Sequence, residues 1–135
     1  MTRIREFQPA DGERLRALWA SVGFRLISDD DAGLARFAAR NPGLFVVAEE
    51  GPELVGSTMG AWDGRRGWLY HVAVAPGHRR HGLASELVAT VEGRLRALGC
   101  VRVQVLVEAA NRGAFAFWTE QGYELRDSRQ LGKNL

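Results

Sequence analysis

The forty residues from Trp68 to Val107 constrain this chain more than any other part of it. Trp68 to Ala75 is an apolar run of strand length, closed by Pro76. "GHRRHG" follows, two glycines bracketing four basic or titratable residues, His78, Arg79, Arg80 and His81. Then Leu83, Leu87, Val91, Leu95 and Leu98 recur on one stripe of a helix, and Gly99 stops it. Val101 to Val107 is again apolar and nearly unbroken, the pattern of a strand covered on both faces. Strand, helix and strand in this order predict a β-α-β crossover and a parallel pair.

The upstream half reads differently. Ile4 to Phe7 alternates as a first strand, and Pro9 and Asp11 open a helix with Leu15, Leu18, Trp19 and Val22 on one face. Asp29, Asp30 and Asp31 precede a second helix carrying Leu34, Phe37 and Ala38, which ends at Asn41-Pro42-Gly43. Leu44 to Ala48 and Leu54 to Trp62 are strands, and Asp63-Gly64 makes a hairpin into the fourth strand at Trp68. Gly56 and Gly60 inside a strand predict a bulge or a close backbone approach. Asn111 to Gln121 is a fourth helix, and Tyr123 to Leu131 is expected to give one or two closing strands. The fold class expected is α/β (α+β): one domain over residues 1–135, with a mixed sheet of about six to seven strands and about four helices.

Composition narrows function. Eighteen basic against sixteen acidic side chains leave a net charge of +2, which argues against general nucleic-acid or membrane binding. One cysteine, Cys100, makes no internal disulfide and is expected to pack as a small apolar residue in a reducing compartment. The opening segment has acids and no continuous apolar run, so neither a leader nor an anchor is read there and a cytoplasmic location is expected.

The basic loop predicts an anion site. A helix start exposes unpaired N–H groups and the positive end of the macrodipole. Gly82 lets an anion approach the backbone, and Arg79 and Arg80 supply charge-assisted hydrogen bonds. Alternatively Pro76-Gly77 makes a plain turn with solvated arginines. Gly77 and Gly82 have the spacing of a Walker A loop, but Leu83 and Ala84 stand where that loop needs Lys and Ser or Thr. The dinucleotide fingerprint, zinc ligand spacing and a nucleophile elbow are missing as well. A diphosphate held without a metal is the remaining reading.

Four segments carry a resemblance. "RRHGLA", Arg79 to Ala84, is similar to the R/Q-x-x-G-x-G/A motif of the GNAT family of N-acetyltransferases. "IREFQPADGERLRALW", "YHVAVAP" and "NRGAFAFWTEQGY" fall in that family's order and spacing. "GSTMGAWDGRRGWLYHVAV" and the ending "LGKNL" resemble its small bacterial YpeA-like members. The resemblance implies that Arg79, Arg80, His81, Gly82, Leu83 and Ala84 hold the pyrophosphate of acetyl-CoA. It implies that Val72, Ala73 and Val74 pair with the pantetheine arm, and that the thioester lies where strands four and five splay. It adds Asn111, Ala114, Phe117 and Trp118 beside the pantetheine; Asn111 also reads as a plain N-cap.

The expected activity is acetyl transfer from acetyl-CoA to a primary amine of a small molecule or a peptide by direct attack, with no metal. The family's usual tyrosine acid falls on Trp118, whose indole does not ionise usefully, and its occasional glutamate base falls on Leu106. Local base candidates are Tyr70, His71 and Glu108; imidazole is the side-chain type suited to a base near neutral pH, and His71 also reads as a satisfied sheet histidine. The missing acid and base keep a non-catalytic acyl-CoA-binding sensor as the alternative. Acceptor walls are expected from Ser21–Asp31 and the Trp62–Trp68 hairpin. Asp29, Asp30 and Asp31 read as caps or as attractors of a cationic amine, and Phe24, Trp62 and Trp68 as an aromatic pocket or as core. A monomer or homodimer is expected, with neither nucleic acid nor membrane as partner.

Overall fold

The computed structural model describes residues 1–135. By internal contacts it divides into a larger unit, Met1–Val105, and a smaller one, Leu106–Leu135. The larger unit holds a five-stranded mixed sheet. Its strands are β1 (Arg3–Glu6), β2 (Phe45–Glu50), β3 (Glu53–Trp62), β4 (Gly67–Val74) and β5 (Val103–Val105), in that spatial order. The first four pair antiparallel, and β5 joins β4 in parallel through the crossover helix α3 (Leu83–Ala97). Helices α1 (Gly12–Ser21) and α2 (Asp31–Arg40) lie between β1 and β2 in sequence. Helix α4 (Arg112–Glu120) belongs to the smaller unit.

Alternation along β2 and β3 separates two packed faces. Phe45 sits opposite Met59 and Val47 opposite Ser57, and Phe45, Val47 and Met59 cluster with Leu15, Leu18 and Trp19 of α1 and Leu34 of α2. The intervening residues face α3. A Cβ built on Gly56 would come within 2.8 Å of Leu87 Cδ1, and one on Gly60 within 2.4 Å of Val91 Cγ1. The two glycines thus let α3 lie close on the sheet, as their position in a strand predicts. Cys100 is buried as expected, its sulfur 2.9 Å from where a Cβ of Gly67 would stand.

The expected sheet of six to seven strands is corrected to five. Tyr123–Leu135 forms no strand: its apolar residues are spaced by charged and polar ones, and Leu125 and Leu131 are exposed. β5 is also shorter than the apolar run from Val101 to Val107, with Val101 89% and Leu106 54% exposed. It is the last strand of the sheet, pairs on one side only, and its three residues are only half-buried. A continuous apolar run therefore overstated its cover.

Candidate functional site

The site is built around an irregularity in β4. Ser57 pairs with Ala73 and Met59 with Tyr70, so one residue of β3, Thr58, faces two of β4, His71 and Val72. This is a β-bulge, and His71 takes a left-handed backbone with φ +46°. Histidine is among the few non-glycine residues enriched there. Because of the extra residue, Tyr70 and Ala73 both face α1 and α2, although three positions apart. The His71 carbonyl accepts from Ser57 Oγ at 2.7 Å, and Ser57 accepts from Trp19 Nε1 at 2.8 Å. The bulge is thereby tied to a fully buried indole.

The His71 side chain is tightly placed. Its Nε2 lies 2.9 Å from Asp29 Oδ2, and its ring stacks on Phe24 and tilts against Trp19. The three aspartates separate into three tasks. Asp30 caps α2 through Gly33 N at 2.8 Å, Asp31 pairs with Arg16, and Asp29 takes His71. No pattern in the sequence distinguishes them, because the partner of Asp29 is forty-two residues away. Gly33 holds this loop down: a Cβ there would stand 1.9 Å from the Ser28 carbonyl. Ser28 itself has φ +63°, a second non-glycine residue in a costly region.

A groove of about 570 Å³ opens against this wall. Phe37, Met59, Tyr70 and Ile27 give it apolar surface, and His71 and Asp29 form one side. Arg25, Arg36 and Arg40 also line it. The loop from Ser21 to Asp31 is a wall, as expected. The hairpin is not: Trp62 and Trp68 do not line the groove, and Trp68 instead stacks on Tyr70 from outside it. Phe24 serves as the platform for His71. Partial burial, with Asp63 nearby, pushes the Tyr70 phenol above its ordinary range, so it stays protonated at neutral pH. That suits a hydrogen-bond donor, not a base.

Beyond Leu69, opposite Val105, β4 has no further pairing with β5. Val72, Ala73 and Val74 therefore run past the end of the parallel pair. A short 3-10 turn, Pro76–His78, leads on to Arg79, Arg80 and His81, all exposed. Arg80 has φ +66° and Gly82 φ +78°, and Gly82 is the N-cap of α3. The space where a Gly82 Cβ would stand is open, with no protein atom within 4 Å. Arg79 Nε donates to the Val74 carbonyl at 3.2 Å, which ties the loop to the end of β4. His78 is bonded to Glu50 and holds that carboxyl below its usual range. Leu83 is buried and begins the apolar stripe of α3, with Ala84 beside it.

In the smaller unit, Asn111 caps α4, its Oδ1 accepting from Ala114 N at 3.0 Å. Trp118 is buried between Phe117 and Tyr123, edge-on to both. Glu108 is exposed.

The profile of the acetyltransferase (GNAT) family aligns with residues 8–123. The chain belongs to this family. It is 35% identical over 133 residues to acetyltransferase YE1169 of Yersinia enterocolitica, covering 98% of this chain and 94% of that one. Among solved structures, Ard1 from Thermoplasma volcanium superposes with a TM-score of 0.83 at 22% identity, over 93% of this chain and 84% of that one. The PaiA N-acetyltransferase from Thermoplasma acidophilum, solved in complex with coenzyme A, gives 0.81 at 16% identity, over 96% and 93%. These likenesses establish the fold, and the family makes this protein an acetyltransferase. No helix is long and apolar enough to cross a membrane.

Proposed function

We propose that the protein moves an acetyl group from acetyl-CoA to an amine bound in the groove, by direct attack. One observation carries the reading: His71 is a wall of the groove, and the next residues, Val72–Val74, are the part of β4 that outruns β5. An amine in the groove and a thioester along that strand edge would meet at the bulge. The relative PaiA protein was solved with coenzyme A. The loop here suits a diphosphate: a left-handed glycine at a helix start, open space beside it, and two exposed arginines. Arg79 to Ala84 would hold the diphosphate, and Val72–Val74 the pantetheine arm.

His71, oriented by Asp29, takes the proton from the ammonium form of the acceptor. The neutral nitrogen forms the new C–N bond at the acetyl carbonyl, the C–S bond breaks as the sulfur leaves as thiolate, and the second proton on the nitrogen passes to that thiolate or to solvent, leaving a neutral amide. A thiol of ordinary pKa near 8.5 leaves without a dedicated acid, and the proton on His71 is returned to solvent or sulfur. Backbone N–H groups at the bulge are suited to hold the developing oxyanion. Calorimetric titration with coenzyme A, in the presence of a chelator, tests the binding half. Thiol release across a library of amines tests the chemistry. Tight coenzyme A binding without turnover on any amine would favour the sensor reading.

A further inference from the structure

We infer that the acceptor is a small amine that also carries an anionic group, a carboxylate or a phosphate, and that Arg25, Arg36 and Arg40 bind this group. The inference rests on the groove being the acceptor side, as proposed above. Several arginines of this unit are committed to protein partners. Arg5 and Arg14 hold Asp11, Arg16 holds Asp31, and Arg94 reaches the Gly43 carbonyl and Glu6. Arg25, Arg36 and Arg40 have no such partner, are exposed, and line one groove. The only carboxylate lining that groove is Asp29, which is taken by His71. The groove is therefore net cationic, opposite to what a simple cationic amine would select.

Helix logic does not account for this. A cation in the last turn of α2 complements the dipole, and Arg40 is in that position. Arg36 lies one turn earlier, at i, i+4 to Arg40, where like charges repel on one helix face. Arg25 comes from a different segment altogether. Asn41, which also lines the groove, is already spent: it accepts from Trp62 N and donates to the Phe37 carbonyl. Guanidinium groups are thus the charged donors of this groove, beside the Tyr70 and Ser28 hydroxyls, and they match carboxylate or phosphate oxygens. Phe37 and Met59 supply apolar surface in the same groove as these cations and His71, which suits a short carbon spacer in the acceptor. The volume is that of a small-molecule site.

Matched pairs of acceptors read this directly: β-alanine against β-alaninamide, and O-phosphoethanolamine against ethanolamine. We expect the anionic member of at least one pair to be favoured in kcat/KM by about tenfold or more, the low end for one charge-assisted hydrogen bond. The pair that responds tells carboxylate from phosphate. In the Arg36→Gln/Arg40→Gln double variant that ratio should collapse toward one, with coenzyme A affinity as the control. Titration of the free protein with inorganic phosphate and with propionate, followed by amide chemical shifts, does not require turnover. Shifts confined to the Arg25–Arg40 segment and lost in the double variant support the anion site, even if no amine reacts. Equal rates within both pairs, or anion shifts that survive the double variant, overturn it. Failure of all amines with intact anion shifts would instead count against acetyl transfer.

Discussion

His71 Nε2 lies 2.9 Å from Asp29 Oδ2, and the imidazole that makes this bond sits on a left-handed backbone in the β4 bulge. Strain, ring stacking and a carboxylate partner are all spent on one side chain in the groove wall. His71→Asn separates backbone from imidazole, because asparagine tolerates the left-handed region. It should fold, bind coenzyme A normally, and lose kcat by about a hundredfold or more, the range of a general base. Asp29→Asn should lose less, since the ring stays stacked on Phe24. Normal kcat in His71→Asn together with a large fall in stability would make His71 a structural residue of the bulge.

Gly60 and Gly56 should differ in what they tolerate. A Cβ at Gly60 would meet Val91 Cγ1 at 2.4 Å and, less yielding, the Leu44 carbonyl oxygen at 2.9 Å. At Gly56 the tightest contact is a Leu87 methyl at 2.8 Å, and the nearest backbone atom, the Ala73 carbonyl oxygen, is at 3.3 Å. Gly60→Ala should cost about 1–3 kcal/mol by overpacking, and Gly56→Ala less. Urea melts with unchanged m-values check this. Equal costs would mean that α3 shifts as a body.

What the chain disclosed beforehand follows from how local each signal is. The crossover at Trp68–Val107, the stripe of α3, the Asp63-Gly64 hairpin and the close approach at Gly56 and Gly60 are all written within a few residues. So is the loop from Arg79 to Ala84. The strand count failed at Tyr123–Leu131, where Leu125 and Leu131, spaced by charged and polar residues, stay exposed, and β5 fell short of its apolar run because such a run reports only that burial is available and β5 is a sheet edge. The bulge at His71 depends on register against β3, and the Asp29 partnership on a contact across forty-two residues. Arg25, Arg36 and Arg40 look in the sequence like ordinary solvated residues, and only the fold brings them to one groove.

Asp11 should govern part of the acid stability. It is almost fully buried, and burial alone would push its carboxyl up. Paired hydrogen bonds from Arg5 at 2.8 and 2.9 Å, the Gln8 N–H, and Arg14 outweigh this and hold it below the usual range. A carboxyl depressed in the folded state stabilises fully above its unfolded value, about 3.9, and the contribution is lost as pH falls through the folded value. The melting temperature should therefore drop below about pH 4. Asp11→Asn leaves Arg5 paired with Glu49 alone and should cost about 1–3 kcal/mol near neutral pH, the range for lost charged hydrogen bonds. The variant should also show a shallower acid slope than the natural chain below about pH 4, where the lost carboxyl would titrate. An unchanged acid slope would assign acid unfolding to other groups.

Gly82 and Arg80 allow the phosphate-loop reading to be separated from backbone strain. Both have positive φ, +78° and +66°, yet the space beside Gly82 contains no protein atom. A side chain at 82 therefore costs the protein only its φ, about 1–2 kcal/mol for alanine and less for asparagine. Gly82→Asn should fold, and its Cβ would occupy the space through which a diphosphate reaches the helix N–H groups. Coenzyme A affinity should fall by about tenfold or more, the loss of at least one charged hydrogen bond. Arg80→Gly works in the opposite sense. It relieves the strained backbone and should raise stability, while weakening coenzyme A by removing a cation. Calorimetry and thermal melts on the same samples give both quantities. If Gly82→Asn binds coenzyme A as the natural chain does, the glycine is required for its backbone angle alone, and the diphosphate approaches α3 from elsewhere or not at all.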